Sequence, residues 1–261
     1  MRNWVPALEL ADSSPAWLPA EVVQYPPPTE RIKPAITTGL GLGNSTVEAT
    51  LSGLYEVLER DATMLGWYST FDPLGLEIDD EGFDELRRRA LSEGLEVSAS
   101  LLTQDVDVPV VAVAVHRETW PRLALGTAAD IDAHAAARSA LAEALQNWME
   151  LRRMGPDAAE SASGAIGRYA EFPEESRSFV SPDATVPAAS VGPDVRPSGR
   201  EELSAVLERV ADADLTAYAA STTTRDLREL GFRAVRVLVP TAQPLFFDES
   251  YFGTRARTVP D

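Results

Sequence analysis

Glu48, Ser52, Glu56 and Glu59 are spaced so that one helix would carry three carboxylates and a hydroxyl along a single edge. At about 100° per residue the four fall within an arc of roughly 80°. Val47, Leu51, Leu54, Leu58, Ala62 and Leu65 fill a neighbouring arc that would face a core. Carboxylates stacked at such spacing repel one another unless cations neutralise them. Hard divalent metals that bridge phosphate oxygens are the usual cations for such an edge. The alternative is a solvated helix face on which Glu48 merely caps the helix.

The elements that would position these side chains are legible around them. Ser45 followed by Glu48 is a capping-box pattern, which predicts a helix over Ser45–Tyr68. Gly39, Gly41 and Gly43 precede it. They would let backbone approach a ligand closely or make a tight turn, and they are no phosphate loop because no Gly-Lys-Ser/Thr follows. Residues Met1–Pro34, rich in proline and aromatics, read as an extended lead-in with little regular structure. Helices are predicted over Phe83–Ser92, Ala133–Arg152, Glu201–Ala211 and Thr222–Leu230. Strands are predicted over Thr37–Gly43, Leu95–Leu101, Pro109–Val115, Leu123–Thr127 and Phe232–Val239. The run VPVVAVAV has the continuous apolarity of a central strand covered on both faces. Phe172–Gly199, rich in Pro, Ser and Asp, reads as a loop. The pattern predicts an α/β (α+β) fold, a mixed sheet with packed helices in a single domain.

Composition narrows the chemistry. The 261 residues hold 41 Asp plus Glu against 23 Lys plus Arg, a net charge of −18, with Lys33 the only lysine. Such a surface repels nucleic acid and anionic membranes, which excludes both as expected partners. The acid excess suggests a halophilic protein; a GC-rich genome would explain arginine over lysine but not the acids. With no cysteine, disulfides, thiolate catalysis and Cys-ligated zinc are excluded. His116 and His134 are too few for a histidine-ligated metal cluster and read as structural or exposed. No run reaches the ~18 apolar residues of a membrane span. No secretion signal opens the chain, so a cytoplasmic location is expected.

The run GLGLGNSTVEATLSGLYEVLERDA resembles the central signature of the YcaO family, in which a Gly-rich segment precedes a helix ending in Glu-x-x-Glu-Arg-Asp. The likeness continues through DVPVVAVAV, then ALGTAADIDAHAAARSALAEALQ, and then LRELGFRAVRVLVPTAQPLFFDESYFGTRARTVP. It implies a YcaO-like domain over residues 35–261, following the lead-in of residues 1–34. It also implies ATP and Mg2+ as cofactors, used to phosphorylate a backbone amide oxygen of a peptide or protein substrate. A thiol or hydroxyl then closes an azoline ring (a cyclodehydratase), or an external sulfur donor gives a thioamide (thioamidation).

Carried over by position, Glu48, Glu56 and Glu59 would face the metal, and Glu48, Ser52, Glu56, Arg60 and Gln146 would contact the nucleotide. Arg60 would pair with phosphate or lock the helix by a salt bridge, and Ser52 suits a ligand contact or a plain helix surface. Glu143 and Gln146 match a polar pair on the family's second helix. Trp148 stands where many members have arginine, with Arg138 and Arg152 as candidate replacements. Arg255 is a further, weaker site candidate. The family's earlier Ser-x-x-x-Glu-x-x-Glu-Arg segment has no match before Thr37, so the chain reads as a domain truncated at its N-terminus. This implies one part of a split enzyme; the partners expected are an N-terminal YcaO half or a sulfur-delivery partner protein, and the resemblance also implies a homodimer. The alternative is a non-catalytic peptide-binding or regulatory subunit, and a third reading has the glutamate edge hold a cation only for stability in brine.

Overall fold

The VPVVAVAV run becomes β6 (Val110–His116), an interior strand of a five-stranded sheet, and every residue from Val110 to Val115 is buried. The computed structural model describes residues 3–26, 36–68, 72–160 and 177–245. They form two compact units, one built on residues up to Asp61 with Arg196–Pro244, the other on Ala62–Val195. Among the described residues, no helix is long and apolar enough to cross a membrane.

The second unit holds the β6 sheet. Its order is β7 (Leu123–Ala129), β6, β5 (Glu96–Leu101), β4 (Leu74–Glu77) and β8 (Thr185–Pro187), antiparallel except for the β4–β8 pair. Val111, Val113 and Val115 pack with Leu141, Trp148 and Leu151 on one face. Val110, Ala112 and Ala114 pack with Trp67 and Phe179 on the other. Both faces of β6 are therefore dry, which its unbroken apolarity requires. Helix α3 (Glu81–Ser92) starts at Asp80, whose carboxylate accepts the Phe83 N–H at 2.8 Å, and α4 (Ala133–Met154) starts likewise at Asp132. The α4 alanines serve contact distance: a Cβ at Gly126 of β7 would lie 2.2 Å from the Ala140 carbonyl oxygen. Only small residues allow helix and strand to approach so closely.

The first unit holds a second sheet, ordered β2 (Pro15–Pro19), β1 (Trp4–Glu9), β9 (Tyr218–Ser221), β10 (Arg233–Leu238) and β3 (Leu40–Gly43), all antiparallel. The expected lead-in is thus corrected: Trp4–Pro19 is a hairpin, followed by a helical turn, α1 (Ala20–Val23). Proline was a poor guide there. Pro6 faces Trp17 of β2, while β9 pairs only with Leu8 and Glu9, so the N–H that Pro6 lacks has no strand waiting for it. Trp4 and Trp17 stand exposed on this hairpin. The helix expected over Thr222–Leu230 is also corrected. Thr223 Oγ1 accepts the Ala234 N–H and donates to the Ala234 carbonyl, which holds the chain beside β10 and confines the helix to Arg225–Glu229.

Helix α2 (Thr46–Tyr68) begins one residue after Ser45, whose hydroxyl accepts the Glu48 N–H at 3.1 Å. Its buried side is broader than the six-residue arc and includes Ala49, Gly53 and Val57. The glycines before it are explained by that side. A Cβ at Gly41 would lie 1.9 Å from the Ala49 carbonyl oxygen, and one at Gly53 would lie 2.7 Å from the Gly39 carbonyl oxygen. The close approach is therefore of strand to helix. Replacing Gly41 with alanine should cost about 1–3 kcal/mol, as overpacking does. Urea unfolding measures it, and an unchanged midpoint would disprove the contact.

Candidate functional site

The N-terminal half of α2 presents Ser45, Glu48 and Ser52 along one wall of a groove of about 630 Å3. Arg196, Gly199, Arg200 and Glu202 form the facing wall. Helix α7 (Arg200–Asp212), which among the described residues follows the short α5 (Pro156–Glu160) and α6 (Arg177–Val180), is capped by Gly199, so its positive end opens here. Glu202 is 7% exposed; it accepts from Tyr55 Oη at 2.8 Å and from Arg196 Nη2 at 3.3 Å. That pair fixes α7 against α2. Carboxylate and hydroxyl thus face two guanidinium groups across an open concavity, an arrangement suited to an anion carrying a divalent cation.

Each expected carboxylate has a distinct local partner. Glu48 is exposed, and its Oε2 accepts the Asn44 N–H at 2.9 Å while the Asn44 side-chain amide lies 3.2 Å away. The capping role is thus present in the structure. Glu56 is half-buried and its Oε2 accepts the Gly39 N–H at 3.0 Å. Burial raises its pKa above the ordinary carboxylate value; the Gly39 hydrogen bond, Arg60 and Arg236 oppose that shift. Glu59 lies 3.4 Å from the guanidinium of Arg60, so the salt-bridge half of the Arg60 expectation is seen. Among the described residues no three Asp, Glu or His side chains gather as a ready-made metal cage.

Two residues of this unit escaped sequence reasoning. Asp61, 3% exposed, accepts the backbone N–H of Gln243 at 2.7 Å, tying the turn after β10 to α2. Its place in the Glu-Arg-Asp ending was the available signal. Arg236, on β10, is buried at 4% exposure inside a run that reads as plain strand.

In the second unit, Glu143 accepts the Thr127 N–H at 2.9 Å, Gln146 is exposed, and Asn147 donates to the Leu125 carbonyl. Trp148 is buried, with the guanidinium of Arg117 5.0 Å and that of Arg152 5.3 Å from its ring centre. Of the two candidate arginines, Arg138 pairs with Asp80 and Arg152 with Glu93. His116 is half-buried opposite Glu96, and burial lowers its pKa; His134 sits beside Asp132 at the start of α4. Arg255 lies outside the described residues.

A sequence model described as YcaO cyclodehydratase, ATP- and Mg2+-binding, matches residues 1–243. The chain belongs to the YcaO family. The match takes in the β1–β2 hairpin as well as the glutamate helix. An uncharacterized protein of Methanothermobacter thermautotrophicus is 28% identical over 98% of this chain and 69% of its own length. The YcaO of Methanopyrus kandleri, solved with AMPPCP and Mg2+, is 28% identical with a TM-score of 0.79, covering 99% of this chain and 69% of that one. A heterocyclase in complex with substrate and cofactor is 25% identical with a TM-score of 0.82, covering 98% of this chain and 35% of that one. The Escherichia coli microcin synthetase McbBCD complex with pro-MccB17, at 15% identity and a TM-score of 0.61, shares the fold. The two-sheet α+β architecture is thus that of YcaO proteins.

ATP and Mg2+ are the cofactors of this YcaO family. The donor set fits them in one respect: Mg2+ keeps waters and takes one or two carboxylates alongside substrate phosphates, so no closed protein cage is required. Two outcomes follow. Asp61→Ala removes a charged hydrogen-bond acceptor from a buried N–H and should cost about 1.5–3 kcal/mol in urea unfolding. For Glu56 the folded pKa is raised, so its stabilising contribution is present below the ordinary carboxylate pKa and lost as pH rises through the raised one. Glu56→Gln should therefore melt with the wild type near pH ~4 and above it at pH ~7 in metal-free buffer. A wild type that melts higher at neutral pH would contradict the assignment.

Proposed function

We propose that the protein takes part in ATP- and Mg2+-dependent activation of a backbone amide in a peptide or protein substrate, leading to cyclodehydration to an azoline. The observation that carries this reading is the α2 edge of Glu48 and Ser52 facing Arg196 and Arg200 across one groove. ATP supplies the phosphoryl group that turns the amide oxygen into a leaving group. Glu48, with Glu56 and Glu59 further along the helix, holds Mg2+ through its oxygens. Arg196 and Arg200 take up phosphate charge, as Arg60 does when released from Glu59. Ser52 donates a hydroxyl hydrogen bond to the nucleotide. The raised pKa of Glu56 sets a pH requirement, since only its ionised form attracts the metal.

The finer points belong to the same proposal. Ser52, Glu56, Glu59 and Arg60 themselves form a Ser-x-x-x-Glu-x-x-Glu-Arg pattern on α2, which corrects the expectation that this motif is missing, and a split enzyme with an N-terminal YcaO half as partner is the finer form of the reading. Thioamidation replaces azoline formation if a sulfur-delivery partner protein supplies the nucleophile. A homodimer, a cytoplasmic location with its ATP supply, and a halophilic setting complete the reading.

Calorimetry with Mg2+ and AMPPCP in concentrated salt, on the chain alone and with an N-terminal YcaO half added, tests it. Saturable heat is expected, with Glu48→Gln or Arg196→Ala weakening binding at least about tenfold. Loss of water from a substrate peptide, read by mass spectrometry, should accompany it. No heat in either arrangement overturns the enzyme reading, and peptide binding without nucleotide would assign a non-catalytic, regulatory role instead.

A further inference from the structure

Arg236 has no hydrogen-bonding partner for its Nε and Nη1, both sealed from solvent. Its backbone is placed by the ladder, opposite Leu40 of β3 and Ala220 of β9, so the side chain is committed to the interior. Burial lowers its pKa, and Glu56 opposes that shift through its charge. One oxygen of Glu56, Oε2, accepts the Gly39 N–H, and no hydrogen bond from Arg236 Nε or Nη1 reaches the carboxylate, so its charge is felt while these donors stay unmet. Buried donors left open in this way are rare in folded proteins and mark places where something else binds.

Arg236 also lines a cavity of about 290 Å3 within the first unit. Its walls are otherwise largely apolar, with Leu18 and Val22 on one side and Val57, Leu238 and Pro240 on the other. Glu21 lines it as well, is engaged in an interaction of its own, and is not among the charges acting on Arg236. The volume lies at the lower end for small-molecule pockets, and a mainly apolar chamber with a few polar groups, here Arg236 with Glu21, Gln24, Thr38 and Gln243, is their usual design.

We propose that this cavity binds a small apolar carboxylate, its single negative charge held by Arg236 and its hydrocarbon body by the surrounding aliphatic walls. A monoanion is the most this site could take, since the charge of Glu56 already acts on Arg236 and a phosphate dianion would add a second charge that no group around Arg236 offsets. Two sources share this chemistry, a free short-chain acid and the C-terminal carboxylate of a peptide ending in an aliphatic residue. The site is separate from the groove beside Glu48, with which it shares no lining residue.

The test uses the full chain without nucleotide, so it stands apart from the ATP reading. Calorimetry compares hexanoate, hexanol, sodium chloride at matched ionic strength, and a leucine-terminated tripeptide as free acid and as C-terminal amide. Saturable binding of hexanoate or of the free-acid tripeptide is expected, with hexanol and the amide at least about tenfold weaker. Hexanoate alone assigns a free acid, and the free-acid tripeptide assigns a chain terminus. Arg236→Gln should erase the preference for acid over alcohol while circular dichroism stays unchanged. Should that variant fail to fold, the acid–alcohol comparison on the unaltered chain still decides. Equal binding of hexanoate and hexanol, no binding of any acid, or saturation by chloride alone overturns the proposal.

Discussion

Backbone meets backbone where β3 lies against α2, and much of the first unit depends on that contact. With a side chain at Gly41 the strand would stand off from Ala49. The Gly39 N–H could then no longer reach Glu56, and β10, paired to β3, would shift with it. One steric condition thus sets the sheet edge, the height of the helix above it, and the environment that raises the pKa of Glu56.

The acidic edge is not a naked row of charges. Glu48 is tied to Asn44, Glu56 to Gly39 and Glu59 to Arg60, each held by a neighbour rather than by a shared ion. Local satisfaction keeps three carboxylates ordered on one helix without cations. It also lets them turn toward a ligand at modest cost, because each partner is a single N–H or an exchangeable guanidinium. The role proposed for this edge rests on the YcaO match, since the family is ATP- and Mg2+-binding.

Long periodic segments were legible in the sequence because their packing follows from local pattern. Helices α2 and α4 and strand β6 each bury a face or a whole element that the residue types announce. Short strands were not. Tyr218–Ser221 is four residues of modest character, given strand geometry by β1 and β10 on either side. The β1–β2 hairpin hid behind its prolines. Among candidate site residues, the carboxylates and Arg60 are the ones that spacing and resemblance offer. Arg196, Arg200 and Arg236 could not, because their positions beside α2 or within a cavity come from chain segments more than a hundred residues away.

Strand β2 carries a less obvious lesson. It forms one border of its sheet and shows Trp17 to water, as β1 shows Trp4. A greasy border of that kind would normally recruit a foreign strand. Here Pro15 and Pro19 bracket the segment, and neither can donate to an incoming ladder. The tryptophans can therefore meet solvent without seeding filaments, which leaves this rim of the molecule chemically sticky yet unable to propagate.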